Sequence, residues 1–150
     1  MRKLIIVQCG ERKIWTKEPD LGPVEAKKAY VSNYFQMNKA YAERFGDEWI
    51  LLSTKYGFID PEEEVEDYNV HFHKRASEPI TDDELKEQVE IKNLGHFNHI
   101  TVLGGEAYYQ RVIKAFTDVP CVIQSPLKGL KIGERMAKLK VALEDGTELS

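Results

Sequence analysis

An α/β domain in three layers, with helices on both faces of a mainly parallel sheet of about four strands, follows from two features of this 150-residue chain. Four short runs are almost continuously apolar: Lys3 to Gln8, Glu48 to Leu52, His99 to Leu103 and Val119 to Ile123. A strand with one wet face alternates apolar and polar residues, so unbroken runs fit strands covered on both faces. Amphipathic helical patterns lie between and after them, and that alternation produces a parallel sheet of Rossmann-like design.

The helices are legible one by one. From Ser32 to Phe45, Tyr34, Met37, Tyr41 and Phe45 share a helical face, with Ser32 able to cap the start and Gly46 to close the end. Thr81 and Glu84 have capping-box spacing ahead of Leu85 and Val89. A third pattern follows Gly105, with Tyr108, Val112, Ala115 and Phe116 on one face. The last follows Ile132, with Met136, Leu139 and Leu143, and Gly146 stops it. Two connections are long, Cys9 to Val31 and Ser53 to Ile80, and the first is expected to contain a short helix starting at Pro23. Tyr68 to His73 alternates like a short edge strand, which would put His71 and His73 on one face. Long connections in a compact domain are usually functional or mobile. Both leave the carboxyl ends of strands, so they are expected to meet on one rim, where open α/β sheets place ligands.

Composition narrows the classes. The length fits a single domain, residues 1–150, around one core. An apolar share of 42% argues against disorder. A net charge of −4 excludes a globally basic nucleic-acid binder, though not a local basic groove. No apolar run approaches the roughly 18 residues of a membrane span. The start, Met1-Arg2-Lys3, lacks the pattern of a signal peptide. Cys9 and Cys121 end or lie in apolar runs, as free buried thiols do, which implies a cytoplasmic protein.

Chemistry gathers where strands end. Most informative is Ser53-Thr54-Lys55-Tyr56-Gly57-Phe58-Ile59-Asp60, which presents a hydroxyl, a cation, a phenol and a carboxylate just after a buried strand. Lys55 suits a phosphate, Tyr56 a base or sugar face, and Gly57 a close backbone approach. Asp60 suits a base or the stabiliser of a cationic transition state. The structural alternative has Tyr56 and Phe58 as core plugs. After the first strand, Gly10 would let amides approach an anion beside Arg12 and Lys13, although the glycine spacing and Lys-Ser/Thr pair of a P-loop are missing. Cys9 is expected to act as a small apolar group, since no base accompanies it. Gly104 and Gly105 either expose helix-start amides to a ligand or allow close packing. Gln124, Lys128 and Arg135 add polar and cationic groups to the same rim. His71 and His73 lack a third ligand of suitable spacing, so no metal is expected. Glu62-Glu63-Glu64 suits a solvated face.

Several of these segments carry a resemblance. Val7-Gln8-Cys9-Gly10-Glu11-Arg12-Lys13, then Leu51-Leu52-Ser53-Thr54-Lys55-Tyr56-Gly57-Phe58-Ile59-Asp60-Pro61, Tyr68, Gly104-Gly105 with Tyr108, and Ile132-Gly133-Glu134 resemble a prokaryotic and phage domain family of unknown function. Leu52, Ser53, Tyr56, Gly57, Pro61 and Tyr68 are more loosely similar to the peroxide-stress protein family YaaA. That likeness implies DNA binding and protection from oxidative damage. The chain lacks that family's Ser-Pro-Ala-Lys opening.

The expected function is an enzyme acting on a nucleotide, nucleoside or nucleic-acid base, with cleavage or exchange of a glycosidic bond. Asp60 and Tyr56 would be catalytic. Cys9, Gly10, Lys13, Ser53, Lys55, Gly57, Gly104, Gly105, Tyr108, Gln124 and Arg135 would bind the ligand. No cofactor and no membrane partner are expected. The alternatives are a non-catalytic DNA-binding stress protein and a small-molecule, nucleotide-binding module.

Overall fold

The computed structural model describes residues 2–150. Strand β1 (Lys3–Gln8) is central because it pairs in parallel on both sides, with β3 (Glu48–Ser53) and with β6 (His99–Leu103). The edges are β4 (Gly57–Ile59), antiparallel to β3, and β7 (Val122–Gln124), parallel to β6. The order is β4-β3-β1-β6-β7, five strands where about four were expected. The fifth, β4, is the segment Gly57-Phe58-Ile59, which carries almost no polar character and folds straight back onto β3.

The two-residue period of β1 splits the core. Ile5 and Val7 enter one cluster with Leu51, Leu103, Phe35, Ala42, Leu139 and Ala142. These bring in α2 (Asn33–Phe45) and α5 (Ile132–Asp145). Leu4 and Ile6 enter the opposite cluster with Ile50, Leu52, Ile100, Leu85, Val89 and Val112, which brings in α3 (Asp82–Ile91) and α4 (Glu106–Ala115). The result is a three-layer α/β/α fold with a mainly parallel sheet. The expected caps form: Ser32 Oγ accepts from the Phe35 amide, and Thr81 and Glu84 make a capping box. Among the described residues no helix is long and apolar enough to cross a membrane.

Three local expectations are corrected. The last strand is Val122–Gln124 rather than Val119 to Ile123, because the Val119 amide closes a turn onto Phe116 and Pro120 has no amide to offer a neighbour. Pro23 does not start a helix. Val24–Glu25 (β2) pairs with Glu64–Val65 (β5), and the helix that follows, α1 (Ala26–Ala29), begins at Ala26. Tyr68 to His73 forms no strand; side chains and turns hold it instead, as described below. The β2–β5 ribbon joins the two long connections and takes Glu64 with it, while Glu63 pairs with Lys92 at 2.8 Å.

Candidate functional site

From β1 the chain passes to β3 on one side and then crosses to β6 on the other. Loops leaving β1 and β6 therefore diverge and open a crevice at their carboxyl ends, the place where open α/β sheets bind ligands. A cavity of about 180 Å³ opens there. Gln8, Cys9, Gly10, Glu11 and Lys13 line it from β1 and its loop, and Thr54 from the end of β3. Tyr68, Val70, His71, Phe72 and His73 line it from the long loop, and Ala107 and Tyr108 from α4.

Its floor is a buried chain of hydroxyls. Ser53 Oγ donates to the Tyr68 hydroxyl at 2.9 Å, and the Tyr68 and Tyr30 hydroxyls stand 2.6 Å apart. The Cys9 thiol lies beside both phenols. Burial pushes this thiol up to about 12, against the opposing pull of those phenols and of Lys13. Cys9 is thus a protonated thiol near neutrality, not the thiolate that a nucleophile needs. Burial also raises the phenols of Tyr30, Tyr68 and Tyr108 above their ordinary range. Above this floor the Lys13 ammonium stands 4.4 Å over the Tyr68 ring, with no ion-pair partner among the described residues.

The outer wall comes from an irregular loop that is nevertheless pinned. Thr54 Oγ1 donates to the Val70 carbonyl at 2.7 Å, and the Ile80 amide to the Thr54 carbonyl at 2.8 Å. The His71 amide donates to Ser77 Oγ at 3.0 Å, and His71 Nε2 lies 2.9 Å from Asn69 Oδ1. The His71 and His73 rings sit 5.5 Å apart. Phe72 packs edge-on against Tyr108 at 5.2 Å, with the Arg111 guanidinium 3.8 Å over its ring. Among the described residues, no three His, Cys, Asp or Glu side chains stand together as metal ligands.

Of the residues expected from sequence, the cavity gathers Cys9, Gly10, Lys13 and Tyr108. The others lie outside its lining, each for a physical reason. Ser53 is fully buried, and its Oγ accepts from the Lys55 and Tyr56 amides at 3.1 Å, so it builds the turn into β4. Tyr56 accepts from the Glu66 amide and meets Tyr68 edge-on, behind the cavity rather than in it. Lys55 is exposed, with its ammonium 5.2 Å from the Tyr56 ring. Gly57 has φ +74°, and a Cβ there would stand 2.3 Å from Gln88 Oε1. Gly104 is needed because a Cβ would stand 2.8 Å from the Gln8 side chain, and the Gly105 amide already donates to Gln8 Oε1 at 2.8 Å. Gln124 is level with Thr101 and donates to its hydroxyl. Arg135 is held by the Leu130 carbonyl and the Tyr34 hydroxyl. Asp60 is carried away by β4, which runs antiparallel, to a groove beside Glu48 and Trp49 at the opposite edge of the sheet.

Sequence reasoning missed Gln8, Glu11, Thr54, Tyr30, Tyr68 and the two histidines as parts of the site. The alternation at Tyr68 to His73 did mark a segment with two faces, but strand pairing was the wrong cause.

Comparison with known proteins agrees with the expectation of a prokaryotic domain family of unknown function. Residues 4–141 match a family of unknown function, DUF6884. The chain belongs to this family. It is similar to a Bacillus subtilis (strain 168) protein, "Uncharacterized protein YfjM", at 38% identity over 151 residues, covering 99% of this chain and all of that one. No solved structure matches it.

Proposed function

We propose that this DUF6884 chain is an enzyme that binds a nucleotide, nucleoside or nucleic-acid base in the cavity between the ends of β1 and β6 and cleaves or exchanges its glycosidic bond. The observation that carries the proposal is the cavity's position at the topological switch, with aromatic walls and a free ammonium. Tyr68, Phe72 and Tyr108 offer ring surface to a planar base, and Lys13 a cation to an anionic group. Breaking a glycosidic bond sends the bonding electron pair to the base and builds positive charge on the sugar, which a carboxylate stabilises. Asp60 lies at the far edge of the sheet, so the role falls to Glu11, the carboxylate on the cavity wall. Water, or an incoming base, then forms the new bond at the sugar carbon, and the departing base takes up a proton. The two free thiols suit a reducing compartment and support a cytoplasmic setting.

The test is chromatographic. Protein incubated with nucleosides, nucleoside monophosphates and short oligonucleotides should release free base. Glu11→Gln should slow release by about a hundredfold or more, the scale of losing a positioned charged group. Binding without release would make the protein a nucleotide-binding module. Salt-sensitive DNA binding without release would match the DNA-binding role implied by the looser resemblance to the YaaA family.

A further inference from the structure

The cavity has a vertical division of chemistry. Its depth is phenol, ring and protonated thiol: Cys9 and Tyr30 are buried, and Tyr68 turns its hydroxyl inward to Ser53. Its mouth carries the donors. Lys13 and His71 are half-buried and His73 is exposed. Among the described residues none of the three pairs with a carboxylate. His71 spends one ring nitrogen on Asn69, and His73 makes no side-chain hydrogen bond among the described residues. Glu11 is the acidic residue on the wall, and it is exposed. At about 180 Å³ the cavity is also smaller than the roughly 300–1,000 Å³ of sites that enclose a whole drug-sized ligand. It therefore holds one end of a nucleotide and leaves the other at the mouth.

We infer that His71 and His73, together with Lys13, form a phosphate-holding wall, so the ligand of this site is a nucleoside monophosphate rather than a nucleoside or free base. This rests on the nucleotide-related function proposed above. An imidazole N–H and an ammonium both donate to phosphate oxygens, and hydrogen bonds to a charged acceptor are the strong ones. His71, whose Nε2 faces the Asn69 amide oxygen, donates through Nδ1 as an imidazolium, which has two N–H groups. The pinned backbone around His71 and its ring contact with Asn69 fix that imidazole before the ligand arrives, which lowers the ordering cost of binding. The second phosphate-facing group expected from sequence, Lys55, is replaced here by the histidine pair.

Titration calorimetry with adenosine, guanosine, cytidine and uridine, their 5′-monophosphates and the free bases decides it. Against wild-type protein, at least one monophosphate should bind about tenfold or more tighter than its own nucleoside. In His71→Gln/His73→Gln that advantage should shrink by about tenfold while nucleoside affinity stays unchanged. Because His73 is exposed, His73→Gln alone should fold normally and lose part of the advantage. Equal binding of nucleoside and monophosphate, or an undiminished preference in the folded variants, would overturn the phosphate wall and leave the nucleotide-related function standing. Failure of all three ligand classes to bind wild-type protein would overturn both.

Discussion

The loop after β1 and the turn after β3 look alike in sequence, since each leaves a buried strand and presents glycine, lysine and other polar groups within five residues. They end as opposites. After β3 the chain turns straight back into β4, and the turn uses up its own chemistry. Ser53 Oγ takes two turn amides, and Gln88 of α3 clamps both sides, its Oε1 accepting from the Phe58 amide and its Nε2 donating to the Tyr56 carbonyl. After β1 no strand returns, and the next parallel strand lies far along the chain. Glu11 and Lys13 keep their charged groups beside a cavity, without an ion-pair partner among the described residues. A cluster of polar residues at a strand exit thus marks a site only when the following element does not consume it.

Four outcomes would break or sharpen that contrast. The largest belongs to the hairpin turn. Gly57→Ala combines a left-handed backbone with a Cβ 2.3 Å from Gln88 Oε1 and 2.5 Å from Ile80 Cδ1. It should destabilise the fold by about 3 kcal/mol in urea denaturation. A loss of ligand binding with unchanged stability would instead restore Gly57 to the site.

Next comes Lys13. Lys13→Ala should weaken binding of the monophosphate by about 2 kcal/mol, the scale of a hydrogen bond between charged groups, with the melting temperature nearly unchanged. Calorimetry beside thermal melting separates the two effects, and intact affinity would remove Lys13 from the site.

The third is a pH effect from the cavity floor. The Cys9 thiol has its pKa raised by burial from 9.0 to about 12, so its protonated form is the one that the fold favours. Below pH 9 folded and unfolded chains both hold that proton. Between pH 9 and about 12 only the folded chain does, so stability falls as pH rises, by about 1.4 kcal/mol per unit from this group. Tyr30 and Tyr68 act with the same sign at higher pH. Denaturation between pH 8 and 10 should show the decline in wild-type protein and a flatter line in Cys9→Ala. Equal slopes would mean that the thiol ionises normally in the fold.

The smallest effect is expected at Lys55, the residue most like Lys13 in sequence. Lys55 is exposed, so Lys55→Ala should change both stability and affinity by less than about 0.5 kcal/mol. A large loss of binding there would place the site in the turn after β3 rather than in the loop after β1.

The sequence by itself determined the layers. Continuous apolar runs forced β1, β3 and β6 into the interior and marked β7 at the sheet edge, helical periodicity supplied both covering faces, and Ser32, Thr81 with Glu84, and Gly146 set helix ends by local hydrogen bonding and backbone geometry. These are short-range or periodic signals, and periodicity survives in a bare string of residues. Only the tertiary structure decided which polar groups stay free. Asp60 left the rim because β4 runs antiparallel, a matter of strand pairing that no local pattern encodes. Tyr30 and Tyr68, separated by 38 residues, meet at 2.6 Å over Cys9, and His71 reaches the same cavity through a loop pinned by Thr54 and Ser77. Such contacts depend on where distant segments are carried. Apolar pattern fixes which residues are buried, and topology fixes which exposed ones face each other.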